Sequence, residues 1–176
     1  MKNSLSVIVL LSILLLGCKT EQTREQPPET LATEAFTNVL RKLNDADVII
    51  VDDKHTGLIK CTEGYPKQHL VLAKTAIRPE EEPYFKHMCR SNIVLKTEYE
   101  RKPLLAFEEW KFENAKQAEL VQLRLNVLQT NLSTSEHPKK NIHFNHWIID
   151  STIQIVYTRN ENGKAYVSTL VNVIKN

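Results

Sequence analysis

Residues 104–128 read LLAFEEWKFENAKQAELVQLRLNVL, and this stretch decides the fold class. Leu104 to Phe112 has strand composition and ends in an aromatic pair, Trp110 and Phe112. Asn114 with Gln117 three residues later resembles a capping box. The helix that follows puts Ala118, Val121, Leu125 and Leu128 on one face. Residues 132–145 read as polar and irregular. Trp147 to Tyr157 then alternates, with Trp147, Ile149, Ile153, Ile155 and Tyr157 on one side, as one long strand or as a hairpin turning at Asp150-Ser151. Asn160 to Gly163 reads as a turn, and Val167, Leu170, Val171 and Ile174 form the stripe of a final helix. The local order β-α-β(β)-α, with no long repeat, predicts a single α+β domain: a small antiparallel or mixed sheet with helices packed mainly on one face.

Upstream, Ala32, Phe36, Val39, Leu40 and Leu43 recur at helical spacing, predicting a helix over 31–43 capped by Thr30 after Pro27-Pro28. Val48 to Val51 is a β-branched run and reads as a strand. Residues 52–57 (DDKHTG) read as a turn, with Leu58 to Cys61 as a return strand. His69 to Ala73 is a further strand candidate. Residues 78–92 (RPEEEPYFKHMCRSN) read as loop plus a short helix, and Ile93 to Tyr99 returns to strand character.

The first eighteen residues carry a different message. Lys2 supplies a positive n-region, and Leu5 to Leu16 form an apolar run broken only by Ser6 and Ser12. A run of about a dozen residues falls short of the roughly 20 that span a bilayer, so a signal peptide is favoured over an uncleaved anchor. The run ends in Leu15-Leu16-Gly17-Cys18, which resembles the lipobox of bacterial lipoproteins. The resemblance implies cleavage before Cys18, diacylation of its thiol, and usually acylation of the new amino terminus. The expected organisation is 1–17 signal peptide, 18–29 lipidated cysteine and tether, and 30–176 a single domain. The tether (KTEQTREQPPE after Cys18) has no apolar residue besides its two prolines, and extends about 20 Å as a flexible coil. In similar lipoproteins of some bacteria, acidic residues just after the cysteine signal surface export; here Glu21 is interrupted by Thr20, Gln22 and Arg24. Lys19 is not the aspartate that retains lipoproteins in the inner membrane in enteric-type sorting. The outer membrane is therefore expected, with the leaflet left open. The block from residue 104 onward is also similar to small lipoproteins of undefined function, a resemblance that carries no catalytic residues.

Composition narrows the function classes. Loss of Lys2 from 23 basic side chains leaves 22 against 21 acidic ones, so the mature chain is nearly neutral. Lys139-Lys140 is only a pair, and nothing resembles a nucleic-acid footprint. Beyond Gly17 the chain has only Gly57, Gly64 and Gly163, far apart, which disfavours phosphate-cradling loops and hence nucleotide cofactors. With Cys18 lipidated, Cys61 and Cys89 remain as an even pair in a disulfide-permissive compartment. A structural disulfide and two separate thiols both stay open. No C-x-x-C spacing points to a redox site.

Candidate chemistry is sparse. His143 and His146 would share a face on a helix, as metal ligands need, but they precede a strand, where a spacing of three sets them on opposite faces. His137 lies six residues before His143 and could fold back towards them. Asp52, Asp53 and His55 lie at the end of a predicted strand and could bind a cation or act as acid and base, yet they also suit a turn. By alternation Glu108 shares a face with Leu104, Ala106, Trp110 and Phe112. Burial of that face would raise its pKa or demand a cationic partner, whereas a bulge or an edge strand at Glu108-Glu109 would remove the anomaly. No nucleophile motif occurs, and Ser151 near Asp150 and His146 is no basis for a triad. His-Glu-x-x-His is missing. The expected function is therefore a membrane-anchored domain that binds a protein partner without catalysis, in assembly or as an inhibitor or immunity protein. It is expected to need no cofactor and to touch lipid through acylated Cys18. Exposed Trp110, Tyr84, Phe85 or Trp147 would support binding, although the core has first claim on them. The alternative is a small envelope hydrolase or metal-binding protein built on Asp52, Asp53 and His55 or on His143 and His146.

Overall fold

The computed structural model describes residues 32–46, 49–51, 60–66, 72–95, 105–134 and 141–176. Helix α1 (Glu34–Asp45) is followed by strands β1 (Ile49–Val51) and β2 (Lys60–Glu63), a single helical turn α2 (Ala73–Ala76) and a 3-10 turn (Pro79–Tyr84). Strand β3 (Phe85–Leu95) then pairs with β4 (Leu105–Phe112), helix α3 (Ala115–Thr134) follows, and the hairpin β5 (His143–Ile149) and β6 (Thr152–Thr158) leads into α4 (Lys164–Lys175). Every pairing is antiparallel. The order across the sheet is β1-β3-β4-β6-β5, with β2 also on β3. Because β1 pairs with residues 93–95 of β3 and β2 with residues 87–90, the two short strands lie end to end along one edge. The fold is α+β, as the sequence predicts.

Alternation along β4 and β6 divides the core into two layers. Ala106, Trp110, Phe112, Ile153, Ile155 and Tyr157 pack against Ala118, Val121, Leu125 and Leu128 of α3. Leu105, Phe107 and Val156, on the opposite face, pack with Phe36 and Leu43 of α1 and with Leu170 and Ile174 of α4. Helices therefore cover both faces, α1 and α4 one and α2 and α3 the other, in place of the expected packing mainly on one face. All of β4 except Lys111 is buried, and all of β6 except Thr152. Strands buried on both faces cannot show the apolar–polar alternation that marks a solvated face.

Local predictions meet mixed outcomes. The cap of α1 is Thr33 rather than Thr30: its Oγ1 accepts from the Phe36 N–H at 3.0 Å. Residues 85–92 are strand throughout, not loop and helix, because β3 has partners on both edges and Pro83 closes the preceding 3-10 turn. Ala73 opens α2 instead of ending a strand, and residues 67–71 lie outside the described residues. The Asn114 side chain caps α3, accepting from the Gln117 N–H at 3.1 Å. That helix continues to Thr134 and β5 begins at His143, so both ends of the stretch expected to be irregular are regular structure, and residues 135–140 lie outside the described residues.

The 147–157 segment is the hairpin. Its two-residue turn pairs Trp147 with Gln154, so residues of unlike parity share a face across it. Trp147 therefore joins the α1/α4 layer while Ile153, Ile155 and Tyr157 join the α3 layer, in place of the single apolar side expected. Asp150 takes the left-handed conformation there, φ 53°, a region Asp tolerates better than most residues.

Cys61 and Cys89 form a disulfide across the β2–β3 pair, 28 residues apart. In the chain-entropy picture a loop of that length contributes about 3.5 kcal/mol. Non-reducing peptide mapping is expected to recover the Cys61–Cys89 linkage, and Cys61→Ser with Cys89→Ser to lower stability by roughly that amount. Two free thiols in protein isolated under non-reducing conditions would contradict the pairing.

Candidate functional site

Helix α3 is apolar on two sides. Its inner face, Ala118, Val121, Leu125 and Leu128, is buried in the sheet layer. Its outer face carries Leu120, Leu123 and Val127, exposed by 40%, 61% and 59%. Spacings of three and four bring these side chains into one row, since such residues are neighbours on a helix surface. Lone exposed apolar residues are ordinary; a contiguous row on a two-sided helix is the informative case. Among the described residues only Tyr84 and Ile149 are other large apolar side chains left so exposed. Beside the row, Arg124 is already engaged: its guanidinium forks onto the Glu81 carboxylate and donates to the Ala76 carbonyl at 2.7 Å. That fork ties α3 to the turn before β3 and leaves the row flanked by a neutralised cation. Of the four candidate aromatic anchors, Trp110, Phe85 and Trp147 are buried and Tyr84 is exposed. Leu120, Leu123 and Val127 were legible in the sequence as a second helical stripe, but a one-sided reading of the helix assigns apolar residues to the core alone.

The two carboxylates of β4 are the second feature. No bulge interrupts β4, and it is central, so neither escape from the Glu108 anomaly applies. Glu108 faces α3 and is 1% exposed. Trp110 Nε1 donates to its Oε2 at 2.9 Å, Tyr157 Oη donates to its Oε1 at 2.9 Å, and Arg90 Nε stands 3.7 Å from Oε1. Arg90 also lies over the Tyr157 ring, 5.8 Å from its centre. Burial pushes the Glu108 pKa up, opposed by Arg90 and by the two hydrogen bonds. Burial, then the neighbouring Glu108 charge, pushes the Tyr157 phenol up as well.

Glu109 points to the other layer. Thr33 Oγ1 donates to its Oε1 at 2.7 Å and Gln154 Nε2 to its Oε2 at 3.0 Å. One threonine hydroxyl thus caps α1 and fastens that cap to the central strand. Each carboxylate has both oxygens occupied by protein donors, the arrangement of structural groups rather than of groups poised to meet a substrate.

The histidines do not converge. His143 and His146 lie three apart on β5 and so face opposite sides of the sheet. His143 Nε2 pairs with Glu161 Oε1 at 2.8 Å, and that hydrogen bond, more than the imidazole's charge, holds the Glu161 carboxyl below the usual range. The pair borders an open groove of about 540 Å³ between α3, β5 and α4, lined also by Gln129, Asn145 and Lys164. His146 turns into the α3 layer, where burial lowers its pKa and its Nδ1 has no hydrogen-bond partner among the described residues. Strand geometry therefore keeps His143 and His146 from converging on one ion. His137, Asp52, Asp53, His55 and Cys18 lie outside the described residues. A further histidine was missed: His87 Nε2 is 2.9 Å from Cys89 Sγ. Burial lowers its pKa against the pull of Glu109 and Glu63.

Comparison with protein-family models, with curated proteins and with solved structures returns no match.

The Glu108 environment fixes a pH signature. A carboxyl whose folded pKa is raised contributes its stability below the unfolded value, and loses it as pH rises through the folded value. Starting from an ordinary value of 4.5, the loss runs upward from there. Glu108→Gln keeps an acceptor for Trp110 and a partner for Tyr157 without a charge. Its stability relative to the parent is expected to rise as pH goes from about 4 to about 8. Glu108→Ala, which orphans both donors, is expected to cost roughly 3 kcal/mol or more at all pH values. Urea midpoints across that range check both, and a parent that gains on Glu108→Gln with rising pH would reverse the assignment.

Proposed function

We propose that this protein is a lipid-anchored lipoprotein of the bacterial outer membrane whose α+β domain binds a protein partner without catalysis. The observation that carries the binding reading is the exposed row Leu120, Leu123 and Val127 on the outer face of α3. A row at i, i+3 and i+7 is the pattern by which a helix lies in an apolar groove of another protein. Its partner would therefore present an apolar groove or a matching helix face, with little charge at its centre. The near neutrality of the mature chain fits this, since recognition through a field of charge would need an imbalance that 22 basic and 21 acidic side chains do not provide.

The anchor half of the reading rests on Leu15-Leu16-Gly17-Cys18. Two or three acyl chains hold a protein stably, at about 0.8 kcal/mol per buried methylene. No helix among the described residues is long and apolar enough to cross a membrane. A tether reaching about 20 Å would keep the domain close to the bilayer, where an envelope partner or an exported effector meets it. Assembly, inhibition and immunity all fit such a tethered binder.

Two substitutions separate the halves. Cys18→Ala is expected to move the protein from the membrane fraction to the soluble one, and continued membrane fractionation would defeat the anchor. Leu123→Glu with Val127→Glu is expected to abolish in-cell crosslinking to the dominant partner while shifting stability by no more than about 0.5 kcal/mol, because both side chains are solvated. Crosslinking that survives the double substitution would remove α3 from the interface.

A further inference from the structure

Strands β2 and β3 bring four chemistry-bearing side chains to one face of the sheet. The register sets Cys61 opposite Cys89 and Glu63 opposite His87, and a spacing of two on each strand keeps all four on the same side. A disulfide needs only the two cysteines. Here an imidazole nitrogen also lies 2.9 Å from Cys89 Sγ. One ligand atom from each of Cys61, His87 and Cys89 falls within 4.8 Å of the others. Ligands on a tetrahedral zinc stand about 3.5–3.8 Å apart, given its bond lengths to thiolate and imidazole, so side-chain adjustment alone would close the set. The imidazole is held by the pleat of β3, not by chance contact between loops.

We propose that the reduced form of this strand pair is a zinc site, with Cys61 Sγ, Cys89 Sγ and His87 Nε2 as ligands and Glu63 or water in the fourth position. Disulfide and metal are then alternative closures of the same two strands. A dithiol reductant supplies two electrons and two protons, becoming a disulfide itself, and leaves two thiols at Cys61 and Cys89. Zn²⁺ then displaces both thiol protons to solvent as it binds two thiolates and the neutral imidazole. Both sulfurs are buried, so exchange requires β2 to open; β2 has four residues and lies on the edge of the sheet, the kind of element that opens first. His87, half-buried, marks the side from which the ion enters. Glu109 and Glu63 lie beside His87 on that side, together with the opposing charge of Lys111. This inference is independent of the α3 interface.

The test uses the full chain with Cys18→Ala, which removes the third thiol. One portion stays oxidised; the other is reduced with excess dithiothreitol and desalted without oxygen. Both are then titrated with ZnCl₂ and read by native mass spectrometry and far-ultraviolet circular dichroism. The reduced chain is expected to take up one zinc and the oxidised chain none. His87→Ala, which leaves the disulfide untouched, is expected to weaken uptake by the reduced chain at least tenfold. If reduction unfolds the sheet, added zinc is expected to restore it. Absence of uptake, failure of zinc to restore an unfolded reduced chain, uptake unchanged by His87→Ala, or equal uptake by the oxidised chain would each overturn the proposal.

Discussion

The structure depends on the double burial of β4. This strand is hydrogen-bonded on both edges and covered on both faces, by α3 on one side and by α1 on the other. A strand in that position has no solvent to turn to, so its two adjacent glutamates must be satisfied by protein. They are satisfied in opposite layers, and by elements far apart in the chain. Glu108 gathers Arg90 from β3 and Tyr157 from β6; Glu109 gathers Gln154 from β6 and Thr33 from the start of α1. Each carboxylate thereby fixes a register. A one-residue slip of β6 would carry Tyr157 and Gln154 to the wrong faces and take one donor from each acid.

The same constraint explains which parts of the fold were legible in the sequence. Helices α3 and α4 could be read because each shows a clear inner stripe, and the order β-α-β(β)-α, with strand or hairpin left open at 147–157, followed from them. Strand β3 could not, because Lys86, His87, Arg90, Ser91 and Asn92 look like loop residues until their cross-strand partners are known. The hairpin phase was hidden for a related reason. Trp147 and Tyr157 share one side when 147–157 is read as a single alternating strand, and only the turn at Asp150-Ser151 decides that they face opposite layers. The anomaly of Glu108 was visible from strict alternation, but its resolution was not, since Arg90 and Tyr157 lie 18 residues before it and 49 residues after it.

Chemistry and recognition fall in different places on this molecule. The buried acids serve the sheet; His143 and His146 are divided by it. What remains for recognition is the outer face of α3, whose apolar row costs solubility and gives nothing to the core. On the proposed reading a partner covers this row, and a lipid tether would confine the search for that partner to the membrane's neighbourhood. The disulfide end of the sheet is a separate matter, where β2 and β3 hold an imidazole against a cystine.

The most direct test of the central claim is site-specific photocrosslinking in cells, with the reactive side chain placed at Leu123 on one chain and at Asn172 on another. Asn172 is exposed on α4, which covers the opposite layer. The account predicts one dominant adduct from position 123 and none of that species from position 172. The same adducts from both positions, or none from position 123, would contradict it.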